Sequence, residues 1–271
     1  MSLLHRLFGV DKPIIAMLHL PAMPGRPRHD QAAGMGHLVD TIGRDVGALQ
    51  QAGVDGFLFC NEADLPYQIG VGPEIVAGMA AVIGQVRSTL RLPFGVNLVW
   101  DPVASLAVAR ATGATFVREV FAGVFESDLG LMHPDFGAIA AYREQIGAGS
   151  VALFTNITPE FASTVGTRSV AQRARSAAHL GVDAILISGQ ITGTSTSVRE
   201  LLEARTAVPD MPVLANTGVR EDTVDEMLAI ADGVLVGTSL KRDGVTWNDV
   251  DPERADRFMA AVQRVRGAVL V

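Results

Sequence analysis

Cysteine is almost missing: Cys60 stands alone in 271 residues. No intrachain disulfide can form, and a cysteine-rich structural zinc site is excluded. Basic residues are outnumbered, 22 Lys and Arg against 29 Asp and Glu, and no basic block occurs. That argues against a nucleic-acid surface, which must neutralise phosphates at many points. Long apolar runs are lacking too. The start Ser2-Leu-Leu-His-Arg-Leu7 is interrupted by His5 and Arg6 and is far too short for a signal peptide or a spanning helix. A cytoplasmic protein without a membrane span is expected. No low-complexity linker marks a boundary, so residues 1–271 are read as one domain.

What is present is apolar and periodic. Hydrophobic residues make up 48% of the chain, enough for a sizeable core, and the length suits a (β/α)8 barrel of about 250 residues. Apolar runs recur at Pro13–Leu20, Val54–Cys60, Phe94–Trp100, Thr115–Phe121, Ser150–Thr155, Asp183–Ser188, Pro212–Ala215 and Gly233–Val236. They are near-continuous, as strands covered on both faces of a parallel sheet should be. Helical spacing fills the intervals: His37–Gln51, Glu74–Leu90, Val103–Ala111, Phe136–Gln145, Arg168–His179, Val198–Val208 and Glu221–Leu228, with Glu253–Arg266 after the last strand. Gln51-Ala-Gly-Val-Asp-Gly56, Ala111-Thr-Gly-Ala-Thr115 and Leu180-Gly-Val-Asp-Ala184 repeat one joint, with glycine placed to end a helix in the left-handed region before a strand begins. The reading is α/β: a TIM barrel whose all-parallel sheet is closed, preferred to a doubly wound open sheet because the strands are so regularly spaced.

The stretches Met211–Val219 and Ile230–Lys241 each end an apolar run in glycine and small polar residues. In (β/α)8 barrels the loops after the last two strands are the usual phosphate site, because their backbone N–H groups can converge on one anion. Thr217, Gly218, Gly237 and Thr238 are therefore read as phosphate-binding; the alternative is that these glycines only make tight turns. The longest irregular stretches, Pro21–Gly36, Asn61–Pro73, Ala122–Asp135 and Asn156–Thr167, all follow strands. In a barrel they gather at the C-terminal face, where chemistry sits.

Polar residues at those strand ends form the candidate site: His19, Asn61, Glu62, Asp101, Arg118, Glu119, Thr155, Asn156, Ser188, Gln190, Asn216 and Thr238. Catalysis is assigned to Glu119, Asp101, Glu62 and His19, and substrate binding to Asn61, Arg118, Asn156 and Asn216. Asp101 and Glu119 follow adjacent strands and could face one another across a substrate, an arrangement that drives carboxylate pKa values apart. Side chains alternate along a strand, so Arg118 and Glu119 cannot both enter the mouth while the strand continues. Each residue has a plainer reading: Glu62 and Asp101 as caps, Arg118 and Glu119 as a structural ion pair, His19 as a hydrogen-bonded wall. His19, Glu62, Asp101 and Glu119 could hold a divalent ion, but no tight ligand motif occurs, and no metal residues are assigned. His133 is a further candidate on a long loop at the same face, Arg26 could meet an anionic substrate, Lys241 reads as a phosphate partner, and Cys60 reads as core.

His19-Leu-Pro21 with Pro24-Gly25, Asn61-Glu62 with Leu65-Pro-Tyr67, Gly95-Val-Asn97 with Trp100-Asp101, Arg118-Glu-Val-Phe121, Ala215-Asn-Thr-Gly-Val219 and Gly244-Val-Thr-Trp247 together resemble the BtpA/SgcQ family, closer to the SgcQ type. The resemblance runs from Lys12 to Val262 and implies a TIM barrel. Family members are described as photosystem I biogenesis factors or as products of sugar-utilisation gene clusters, and some have been labelled phosphoribosylanthranilate isomerases. That isomerase uses a cysteine at the first strand and an aspartate at the sixth, where this chain has His19 and Ser188. The expectation is an enzyme, an isomerase, lyase or glycosidic-bond-cleaving one, acting on a small phosphorylated sugar or nucleoside-like metabolite. No organic cofactor is expected; a divalent metal and a homo-oligomer are left open. The alternatives are a non-catalytic assembly factor of the photosystem I kind and a metal-dependent hydrolase. A lysine is missing from the end of the sixth strand, where Ser188-Gly-Gln190 stands, which disfavours the Schiff-base route of barrel aldolases.

Overall fold

In the computed structural model, which describes residues 1–268, the expected strands close into a barrel; residues 269–271, the end of the expected domain, lie outside the described residues. The strands are β1 (Ile14–His19), β2 (Gly56–Cys60), β3 (Phe94–Asn97), β4 (Phe116–Glu119), β5 (Ala152–Asn156), β6 (Ala184–Ser188), β7 (Val213–Asn216) and β8 (Gly233–Val236). All pairs are parallel, and β1 closes the ring by pairing with both β2 and β8. The intervening helices are α1 (Gly34–Ala52), α2 (Pro73–Val86), α3 (Pro102–Thr112), α4 (Phe136–Gln145), α5 (Val170–Leu180), α6 (Val198–Ala207) and α7 (Val224–Ile230), with α8 (Pro252–Ala268) after β8.

The repeated joint has a physical basis. Gly53, Gly113 and Gly181 end α1, α3 and α5 in the left-handed region, at φ of 84°, 79° and 82°, which costs a glycine nothing sterically. The aspartate that follows in two of these joints, Asp55 and Asp183, accepts the N–H of the neighbouring strand's first residues, Ile14 at 2.7 Å and Leu153 at 2.8 Å. Asp232 does the same for Val213 at 2.9 Å. Each carboxylate thus satisfies a donor at the start of a strand that the ladder leaves open.

Two apolar layers result. One, between sheet and helices, takes Ile14, Ala16, Leu18, Phe57, Phe59, Val96, Val117, Leu153, Ile185, Ile187 and Val213. The other fills the barrel with Ile15, Met17, Leu58, Cys60, Phe116, Phe154, Leu186, Leu214 and Leu235. Phe116 and Phe154 stack at 4.7 Å, and Phe8 meets Phe116 edge-on at 5.6 Å. Phe8 belongs to a short helix, Leu3–Phe8, which with Leu4 seals the N-terminal end. The rings fit because Gly56 and Gly95 carry no side chain: a Cβ on Gly95 would lie 2.4 Å from Phe116, and one on Gly56 2.6 Å from Phe8. Each fully buried phenylalanine contributes about 1.5–3 kcal/mol.

At the C-terminal face, two of the stretches read as irregular carry a small antiparallel sheet. Phe125–Ser127 is its middle strand, flanked by Gly130–Met132 and Ser163–Thr164. Pieces of two or three residues are too short to show a period. The expected third strand, Phe94–Trp100, leaves the sheet after Asn97, and Trp100 adopts a φ of 68°. Among the described residues no helix is long and apolar enough to cross a membrane.

Candidate active site

Alternation along the strands decides which polar residues reach the mouth. Two residues beyond the interior side chains Met17, Cys60, Phe116, Phe154, Leu186, Leu214 and Leu235 stand His19, Glu62, Arg118, Asn156, Ser188, Asn216 and Gly237, carried inward by the same two-residue period. The cavity at the mouth is lined by His19, Glu62, Arg118 and Asn216 and by both glycine loops, Thr217-Gly218 and Gly237-Thr238. Glu160 and Thr192, from the loops after β5 and β6, complete it.

Arg118 is the centre of the polar network. Its Nη2 donates to both oxygens of Glu160 at 2.8 Å, and Nη1 donates to Asn97 at 3.1 Å. Burial is the largest influence and opposes its charge, but Glu160 together with Cys60, Glu119 and Glu62 outweighs it, and the pKa is raised. Its Nε is buried without a partner. Glu160 also accepts from Asn156 at 3.1 Å and Asn216 at 3.0 Å, and both amides reach Ser188 Oγ, at 2.7 and 2.6 Å. Every lone-pair direction of Glu160 is thereby used, whereas Glu62 is less committed: Oε1 accepts from Thr192 at 2.6 Å and Oε2 takes only a long contact from the Cys60 thiol, 3.5 Å. The thiol itself is buried and its pKa is pushed well up, first by burial and then by Glu62, which keeps it protonated and inert.

His19 is nine-tenths buried, with Nδ1 unpartnered. Its pKa is lowered to about 3, chiefly by burial and then by the charge of Lys241, so the imidazole is neutral at physiological pH. The ring packs on the second glycine loop: a Cβ on Gly237 would lie 2.8 Å from His19 Cε1. In the first loop Thr217 and Gly218 both have positive φ, 66° and 65°. Segment Thr194-Ser195 lies directly on Gly218, where an added Cβ would come within 2.3 Å of it, and Thr217 Oγ1 accepts the Gly189 N–H at 2.9 Å. The loop after β6 therefore rests on the phosphate-loop candidate, and the cavity beneath it is only about 30 Å³, room for a water or so.

Four residues assigned catalytic or binding roles, Glu119, Asp101, Asn61 and Asn156, do not line the cavity. Glu119 is out of phase with the inward set; it points to α3, accepts from Asn97 at 2.6 Å and Ser105 at 2.7 Å, and burial raises its pKa to about 8. Asp101 caps α3 by accepting from Ala104 at 2.8 Å and accepts from Val71 at 2.9 Å, so the two carboxylates do not face each other across the mouth. Asn61 is tied to Asp64 at 2.9 Å and Val99 at 2.8 Å and holds the loop after β2 against that after β3. Asn156 sits beneath the cavity, reaching it through Glu160 and Ser188. Arg26 is spent on the carbonyls of Asp64 and Pro66. Lys241, read as a phosphate partner, is instead buried against Asp45 at 2.7 Å. Among the described residues no three His, Cys, Asp or Glu side chains are grouped to hold a metal ion; the considered set is not brought together, since Asp101 caps α3 and Glu119 points to α3 while His19 and Glu62 line the mouth. Glu160 escaped the sequence reading because it lies four residues past a strand end, where no period operates, although its loop was placed at this face.

Known proteins give this arrangement a context. Over 97% of this chain and 99% of the other, the fold matches the (S)-3-O-geranylgeranylglyceryl phosphate synthase of Thermoplasma acidophilum, solved with sn-glycerol-1-phosphate, at a TM-score of 0.63 and 14% identity; that likeness speaks for the fold alone. By sequence the chain is 45% identical to the sgc region protein SgcQ of Escherichia coli (strain K12), covering 98% of this chain and all of that protein. It is 28% identical to the photosystem I biogenesis protein BtpA of Synechocystis sp., over 96% of this chain and 91% of that one. The BtpA family model matches residues 10–264, a span that takes in all eight strands and every residue lining the mouth, and on that ground the chain belongs to the BtpA family.

Proposed function

We propose that this protein is an enzyme acting on a small phosphorylated sugar or nucleoside-like metabolite by acid–base chemistry at the barrel mouth. One observation carries the reading: a single cavity is lined at once by both glycine loops and by Arg118, Glu62, Glu160 and His19. The backbone of Thr217-Gly218 and Gly237-Thr238 would hold the phosphate. Glu62, whose lone pairs are least committed, is the general base or acid; Arg118, fixed by Glu160 and lining the cavity, meets developing negative charge with its guanidinium. Neutral His19 supplies a hydrogen bond without a charge. An imine route is disfavoured, because the chain has only two lysines, and their amines are engaged by Leu228 O and Asp45.

A cavity this small admits substrate only when the loop after β6 lifts, which breaks the Thr192–Glu62 hydrogen bond and frees the carboxylate as the substrate enters. The synthase with sn-glycerol-1-phosphate is a precedent for a phosphorylated ligand on this fold. The second reading, a non-catalytic assembly factor, draws on apolar residues exposed on the loops at this face, Ile69 45%, Leu131 57%, Phe161 39% and Ile191 53%.

The test is a thermal-shift comparison of ribose 5-phosphate, inorganic phosphate and ribose, followed by a turnover screen of sugar phosphates by ³¹P NMR. A ligand at 100 times its Kd adds about 2.7 kcal/mol. Phosphorylated probes alone should raise the midpoint, and Glu62→Gln should abolish turnover while keeping binding. Equal shifts by ribose, or none by any probe, would sink the proposal.

A further inference from the structure

Beside the mouth, on the β1 and β8 side, lies a second and larger cavity of about 240 Å³. Trp247, Arg28 and His37 bound it, with Leu20, Pro21 and Ala22 along one edge. Two groups join it to the mouth. His19 lines both cavities, and Thr238 of the phosphate-loop candidate hydrogen-bonds Thr246 of the side cavity at 2.8 Å. Trp247 is 52% exposed, while Trp100, the other tryptophan, is 7% exposed. Trp247 thus presents an indole at this cavity that the core does not cover.

The indole is presented on an ordered turn rather than a loose one. Val245 N–H donates to Arg242 O, Asn248 N–H to Val245 O, and Arg242 N–H to Asp249 O, and the Asn248 amide reaches Arg242 O at 2.9 Å. The Arg28 guanidinium lies 5.3 Å from the ring centre of Trp247. A cation already sits over the ring, at a face where a planar group can replace it or lie beside it. At the partition stands the nine-tenths-buried His19, which lines both chambers and whose buried Nδ1 has no partner.

We infer that the side cavity receives a planar ring carried by the phosphorylated substrate, with Trp247 as its stacking platform. This rests on the phosphate reading above and narrows it: the substrate class is a sugar phosphate bearing a flat aryl or nucleobase-like ring, rather than a bare sugar phosphate. The phosphate lies at the glycine loops, the sugar passes His19, and the ring rests on the indole.

The test titrates inorganic phosphate, ribose 5-phosphate and adenosine 5′-monophosphate into the wild-type chain, Trp247→Ala and Trp247→Phe by calorimetry, with tryptophan emission followed in parallel. Stacking on an aromatic side chain should make the nucleotide about tenfold tighter than ribose 5-phosphate and quench the emission. Trp247→Ala should bring the two affinities together. Trp247→Phe should restore most of the difference while losing the quench, which a merely structural indole would not do. Ribose 5-phosphate binding with no advantage for the nucleotide, or an advantage that survives Trp247→Ala, overturns this inference alone. Failure of both phosphate and ribose 5-phosphate to bind overturns the phosphate reading and this inference with it.

Discussion

Replacing Lys241 by methionine separates a structural lysine from a phosphate ligand. Lys241 Nζ lies 2.7 Å from Asp45 Oδ2, both side chains are 2% exposed, and Asp45 Oδ1 accepts the Val250 N–H at 2.8 Å. The pair joins α1 to the segment after β8, where Lys241 and Val250 also form a backbone bridge. Lys241→Met leaves a buried carboxylate with one N–H partner, a loss of about 3–5 kcal/mol. At about 2–4 °C per kcal/mol for a chain near this size, the midpoint should fall by roughly 6–20 °C. The assay is a melt by circular dichroism, paired with a ribose 5-phosphate titration well below the variant's midpoint. Affinity should stay within about twofold, whereas losing a charge-assisted contact to phosphate would cost about tenfold or more. Asp45→Leu in the same chain should recover part of the stability, since an apolar pair often replaces a buried ion pair with little loss. An unchanged midpoint with weakened ribose 5-phosphate binding would refute the reasoning.

Glu119 makes stability depend on pH. Its folded pKa, about 8, lies above its unfolded value of 4.5, so the folded chain holds the proton more tightly; the stabilisation is complete below the unfolded value and is lost as pH rises through the folded one. Glu119→Gln should flatten the decline of the melting midpoint across that window, and an identical decline in the variant would count against it. His19 acts in the opposite sense: its pKa is lowered from 6.5 to about 3, so stability rises with pH over that interval, and His19→Gln should blunt the acid limb of the same curve. Gly95→Ala should destabilise by about 1–3 kcal/mol through overpacking, because its methyl would meet the Phe116 ring at 2.4 Å; a urea midpoint matching the wild type would contradict the packing described.

The barrel was legible because its signals are redundant. Eight apolar runs, helical spacing between them and the repeated glycine joint all point to one architecture. The mouth was legible in part. Strand ends announce which residues are near it, but only the inward phase says which enter, and that phase is set by Phe116 and Phe154 inside the barrel. Arg118 shares their phase and Glu119 does not. Asp101 before Pro102 is a helix-start pattern as well as a strand end, and the cap geometry is the one adopted. Glu160 and Thr192 reach the cavity from loops, whose paths are decided by contacts distant in sequence, such as Thr194-Ser195 on Gly218. Nothing local encodes that packing.

The central claim is that phosphate is held by the backbone after β7 and β8. Its most direct test is a ¹⁵N amide spectrum of the chain titrated with ribose 5-phosphate. The account predicts that the largest shifts fall on Thr217, Gly218, Gly237, Thr238 and Ser239, with ribose alone leaving them in place. Shifts centred elsewhere on the barrel, or none at saturating ligand, would contradict it.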